Sequence, residues 1–128
     1  MAWLAVGLGA TLGAWLRWGL STWLNAVTPQ LPLGTLLANL GGGYLIGIAV
    51  AFFAGHSGIS AEWRLFAITG FLGGLTTFSS FSAEAVLLLQ RGDYWWAILH
   101  SSLHLFGSIL FCAAGFATYR ALSALFPG

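Results

Sequence analysis

Four apolar runs set the outer limits on what this chain can fold into. They cover roughly residues 3–24, 33–54, 63–90 and 94–119 of 128. A run of about 20 residues with few charges is long enough to cross the hydrocarbon core as a helix. Only 5% of the residues are charged, against roughly 25% in soluble domains. The expected architecture is therefore one all-α, four-span membrane domain over residues 1–128, with no room for a second domain. Its basic residues are Arg17, Arg64, Arg91 and Arg120, and the net charge is +1, which gives no footprint for nucleic acid. Cys112 is alone, so an internal disulfide is impossible, and it reads as a small buried hydrophobe. With no basic residue before Arg17, a cleaved signal peptide is not expected.

One stretch resists this simple picture. Gly70-Phe-Leu-Gly-Gly-Leu-Thr-Thr-Phe-Ser-Ser-Phe-Ser-Ala-Glu84 lies inside the third run. Glycine weakens a helix, and Ser/Thr hydroxyls compete for its backbone groups. Non-helical backbone at membrane depth is tolerated only where it is buried in protein or lines a wet cavity. The stretch thus reads as a helix break with a function, or as a packing face, since Gly70-x-x-x-Gly74 has small-xxx-small spacing.

The other runs carry their own marks. Gly9 and Gly13 allow close helix approach in the first. Arg17 either snorkels to the interface or attracts anions at a pore mouth, and Trp15, Trp18 and Trp23 suit a boundary belt. In the second run Asn39 must find partners, as interhelical glue or as an amide donor to an anion. Ser60 is placed to cap the third run, and Arg91-Gly92-Asp93 reads as a tight turn. In the fourth run His100, His104, Ser108 and Cys112 recur every four residues, along one helix face. Such histidines can bind metal, but no carboxylate or cysteine joins them in a sequence motif. A hydrogen-bonding track along an aqueous or ion pathway is the preferred reading.

Lys/Arg in short loops sets membrane orientation. Arg64 and Arg120 fall on one side of four spans, and Arg17 and Arg91 on the other. That balance makes dual insertion, with two copies packed antiparallel, a serious expectation.

Three segments resemble the Fluc (CrcB) family of fluoride channels, and the resemblance covers nearly the whole chain. Gly9-Ala-Thr-Leu-Gly-Ala-Trp-Leu-Arg17 is similar to the family's glycine-rich start, and Gly34-Thr-Leu-Leu-Ala-Asn39 resembles its G-T-L-x-x-N block. Thr69-Gly-Phe-Leu-Gly-Gly-Leu-Thr-Thr-Phe78-Ser-Ser-Phe81-Ser-Ala-Glu84 resembles its signature almost without departure. The resemblance implies a dual-topology, antiparallel homodimer in the cell's inner membrane, with the third helix broken near the midplane. It implies two fluoride pathways and a sodium ion at the dimer centre, held by the main-chain carbonyls of Gly73 and Thr76. Phe78 and Phe81 match the pore phenylalanines, Asn39 the pore asparagine, and Arg17 the entrance arginine. Ser82 and Glu84 match polar positions on the lower pathway. His100, His104 and Ser108 stand where the family has a Tyr/Ser/Ser track, so the spacing survives while the chemistry changes.

The chemistry is compatible with these roles. Fluoride holds its water strongly, so stripping it needs replacement donors such as the Asn39 amide and the hydroxyls of Ser79, Ser80, Ser82 and Ser108. Phenylalanine rings present positive edges to an anion. The expected function is passive export of cytoplasmic fluoride through a non-enzymatic channel in the lipid bilayer. The main rival is a proton-coupled small multidrug transporter, which needs a carboxylate in its first helix; the first run has none. An enzyme or metal protein built on His100 and His104 lacks a supporting ligand or nucleophile set in the sequence. A non-catalytic assembly subunit would not need so many polar groups at mid-membrane.

Overall fold

The computed structural model describes residues 1–126, and they are helical throughout apart from short connections. Helix α1 is Ala2–Leu24 and α2 is Leu33–Ala54. The third segment consists of α3, residues 61–75, and α4, Phe78–Gln90. Between them Thr76 (φ −85°, ψ 152°) and Thr77 (φ −149°, ψ 123°) are extended. Helix α5 runs from Tyr94 to Leu125, past the expected end at Tyr119. Three segments, Leu33–Ala54, Ala61–Gln90 and Tyr94–Leu125, are long and apolar enough to cross a membrane. Helix α1 has the length, at 23 residues, but its four tryptophans and Arg17 dilute its hydropathy.

Local chemistry explains where the helices stop. The Thr77 side chain accepts from the Ser80 amide at 3.1 Å and so caps α4. At the other end of α4, Gly92 takes a left-handed conformation (φ 80°), and the Asp93 amide reaches back to the Leu88 carbonyl at 2.9 Å. The tight turn read from Arg91-Gly92-Asp93 is thus a glycine-terminated helix cap. Ser60 occupies the N-cap position of α3 with extended backbone, yet its side chain makes no capping bond.

Two seams of glycine hold the helices together. On α1, Gly9 and Gly13 lie against the α3 backbone at Phe66, Gly70 and Phe71, while Gly70 and Gly74 lie against Val6–Ala10. On the other side, Gly47 of α2 meets the Cys112 carbonyl, and Gly115 of α5 meets the Tyr44 carbonyl. A methyl group at any of these positions would strike main chain, so glycine is what lets the helices approach. Both halves of the Gly70-x-x-x-Gly74 pair are therefore packing residues.

Two stretches are wound as π-helix, Leu65–Leu72 in α3 and Leu103–Gly107 in α5. The second lies within the every-fourth-residue stripe of α5, yet His100 and His104 still meet at 4.5 Å. His100 is fully buried beside α4, His104 and Ser108 line a groove, and Cys112 instead presents its carbonyl to α2.

Candidate functional site

The groove has a volume of about 630 Å³ and runs between α2, the Thr76–Thr77 connection, α4 and α5. Of the residues singled out in the sequence, Asn39, Gly73, Thr76, Phe78, Phe81, His104 and Ser108 line it. Ser79, Ser80, Ser82, Glu84, His100 and Arg17 lie outside its wall. Phe78 is 79% exposed on the isolated chain, an apolar ring that nothing in one copy covers.

The Thr76–Thr77 connection is tied down from two sides. Asn39 clamps Thr77 twice: its Oδ1 accepts from the Thr77 amide at 2.7 Å and its Nδ2 donates to the Thr77 carbonyl at 2.9 Å. Arg17 folds back across the end of α3 and its Nε donates to the Gly74 carbonyl at 3.1 Å. A cation there suits the negative end of a helix dipole. These bonds divert amides from their helical partners. The Thr77 amide would ordinarily close on the Gly73 carbonyl but goes to Asn39, and the Ser80 amide would close on Thr76 but goes to the Thr77 hydroxyl.

Past the connection, Phe81 is the hinge of an aromatic cluster. Its ring stacks on His104 (4.9 Å between centroids, 27°) and meets Phe78 edge-on (5.4 Å, 72°). His100 and His104 meet each other at 4.5 Å, and Phe81 also touches His100 at 5.5 Å. His104 Nδ1 lies 2.9 Å from Asn39 Nδ2. The serines do less than the sequence suggests: the Ser82 hydroxyl bonds back to the Phe78 carbonyl at 2.9 Å, and the Ser79 hydroxyl sits 3.3 Å from that of Thr77.

Behind Phe81 a second polar chain leads to Glu84. Asn25 Nδ2 donates to Thr35 Oγ1 at 3.3 Å, and Thr35 Oγ1 donates to Glu84 Oε2 at 2.7 Å. Asn25 also accepts from the Thr35 amide at 3.1 Å. Glu84 Oε1 lies 3.4 Å from His100 Nε2. Glu84 Oε2 therefore has a donor, while its Oε1 has no hydrogen-bond partner among the described residues. Sequence reasoning missed both Thr35 and Asn25. Thr35 had a usable signal, since it precedes Asn39 by four residues and shares its helix face. Asn25, in a loop, had none.

The family described as CrcB-like protein, Camphor Resistance (CrcB), matches residues 4–116. The chain belongs to this family. Similar relatives include a protein of Cupriavidus pinatubonensis, 63% identical over 123 residues, which are 96% of this chain and 98% of the relative. A Pseudomonas putida relative is 60% identical over 120 residues, 94% of each chain, and one from Ralstonia pickettii is 59% identical over 123 residues, 96% of this chain and 98% of its own. All three are named fluoride-specific ion channel FluC. Membership of this family, together with three apolar segments, makes the chain a multi-pass membrane protein. With relatives that are ion channels, the multidrug-transporter reading has no support, and α1 holds no carboxylate to serve it.

Proposed function

We propose that the chain forms a fluoride-selective, passive channel that lets cytoplasmic fluoride leave through the inner membrane. The observation that carries this reading is the 63% identity, end to end, to a fluoride-specific channel, in a chain whose signature residues Thr77, Phe78 and Phe81 converge with Asn39 on one groove. HF crosses membranes and dissociates inside a cell, so a channel suffices for export down the electrochemical gradient. Transit needs a wall that binds the ion well enough to admit it and weakly enough to release it. Aromatic edges and neutral donors, with no cation lining the groove, meet that requirement. Arg17, held at the end of α3, is the fixed positive charge near the path and draws anions toward it. Ser108 supplies a hydroxyl on the groove wall, with Glu84, His100 and His104 around Phe81.

The working unit is an antiparallel homodimer with two pathways and the break at Thr76–Thr77 near the membrane midplane. One chain leaves the groove open and Phe78 bare, and a second copy would close both. A sodium ion fits at the dimer centre. The carbonyls of Gly73 and Thr76 have lost their helical amides and both residues line the groove, so two copies offer hard oxygen ligands to a cation. When bound, the ion offsets the cost of an anion in a low-dielectric setting.

The deciding experiment is efflux from liposomes holding purified protein, with a potassium ionophore clamping voltage. Fast fluoride efflux with negligible chloride efflux is expected; a folded protein that passes no fluoride overturns the reading. Two lysines added to the loop of residues 25–32 bias insertion toward one orientation. Fluoride flux should then collapse and return on mixing with an oppositely biased variant. Full flux from chains of one orientation would sink the antiparallel dimer.

A further inference from the structure

The position of one hydrogen on His104 follows from the bonds around Asn39. The Asn39 amide cannot flip, because flipping would set its oxygen against the Thr77 carbonyl and its NH2 against the Thr77 amide. Its Nδ2 therefore carries two hydrogens in known directions: one goes to Thr77, and the other to His104 Nδ1 at 2.9 Å. A ring nitrogen facing an amide NH2 must accept, so the neutral imidazole carries its hydrogen on Nε2. His104 Nε2 is buried and has no hydrogen-bond partner among the described residues. Leaving such a donor unpaired is costly, which marks the position as one that expects a ligand. Asn39, by contrast, has no hydrogen left to offer.

We propose that Asn39 is a positioning residue that sets the His104 tautomer, and that His104 Nε2–H is the donor a dehydrated halide meets beside Phe81. This rests on the fluoride reading and assigns the donor within it. The ring that presents the hydrogen is held flat against Phe81, so ring edge and N–H are offered side by side. The nearby carboxylate is half occupied: Glu84 Oε2 accepts from Thr35, while Oε1, 3.4 Å from His100 Nε2, has no hydrogen-bond partner among the described residues. By residue type, Glu84, His100 and His104 also make a divalent-cation set, with ligand atoms within 4.8 Å of one another. A cation on His104 needs a free lone pair. The lone pair on Nδ1 is taken by Asn39, and using Nε2 would drive the hydrogen onto Nδ1 against the Asn39 NH2. The geometry favours an anion over a metal.

The test uses the full-length protein with 15N-labelled histidine, read by NMR alongside liposome flux. The His104 ring, assigned by its loss in H104Q, should show hydrogen on Nε2 and a bare Nδ1. Sodium fluoride should move the Nε2 signal where sodium chloride does not. N39D presents an acceptor to Nδ1, so the hydrogen should shift there and fluoride flux should fall by roughly tenfold or more, the worth of one hydrogen bond to a charged group. H104Q carries an amide N–H at similar reach and should pass roughly tenfold more fluoride than H104L on the same basis. A wild-type ring protonated on Nδ1, with normal flux, overturns the tautomer assignment alone. Equal flux from H104L and wild type overturns the donor role. Zinc that displaces the Nε2 hydrogen in wild type overturns the preference for an anion. An Nε2–H ring in a protein that passes no fluoride overturns the halide role together with the channel reading.

Discussion

The glycine seams and the groove draw on the same small and polar residue types, yet they behave as opposites. At Gly13 and Gly47 a neighbouring main chain leaves no space for a side chain. At Gly73, next in the chain to the seam glycine Gly74, the nearest atom to an added Cβ is 3.6 Å away and the residue faces the groove. One turn of α3 thus has two faces, one closed on α1 and one open to the groove. Rigid packing on the first holds the second in place: α3 is pinned to α1 by Gly70 and Gly74, and Arg17 of α1 reaches over to the end of α3. Small residues close a gap where backbone stands opposite and make one where nothing does.

The comparison predicts that damage to a seam destroys the protein and damage to the groove spares it. The largest effect is expected for G13V and G47V. Either side chain would overlap main chain, an overpacking cost of about 3 kcal/mol or more, so no monodisperse protein should survive size-exclusion chromatography. G7A and G19A, where an added methyl meets open space, should purify like wild type. Well-folded G13V would mean the seam is looser than described.

F78I and F81I come next. Both should give normal amounts of folded protein and abolish fluoride efflux, since the rings edge the groove without supporting a seam. Wild-type efflux from both would remove the aromatic pair from the pathway. The smallest effect is expected for T35V, which keeps the shape of a residue only 1% exposed but removes its hydroxyl. Glu84 Oε2 then loses its partner, and thermal stability should fall by about 1–3 kcal/mol. An unchanged melting temperature would show that the polar chain from Asn25 to Glu84 is not structural.

Much of the site was legible along the chain. Asn39, His104 and Ser108 stand out by residue type in an apolar setting, Phe78 and Phe81 only through their resemblance to the family's motif, and all five line one groove. Other assignments were not legible. Ser82 looked like a donor to an ion but spends its hydroxyl on the Phe78 carbonyl, one turn back in its own helix. Of the stripe from His100 to Cys112, His104 and Ser108 line the groove, whereas His100 is fully buried against Phe81 and His104. A local hydrogen bond decided the first and packing between helices the second, and composition encodes neither.

Sequence alone determined that this is an all-helical membrane chain of the CrcB family. Hydropathy is a property of runs of residues, and the signature from Thr69 to Glu84 is contiguous, so both can be read in one dimension. Only the tertiary structure decided which glycines pack and which face open space, and that the Asn39 amide is fully engaged. Those facts depend on partners far apart in the chain: Asn39 and Thr77 are 38 positions apart, and Asn39 and His104 are 65. A donor is free only after every neighbour's demand has been met, and neighbours exist only in the folded chain.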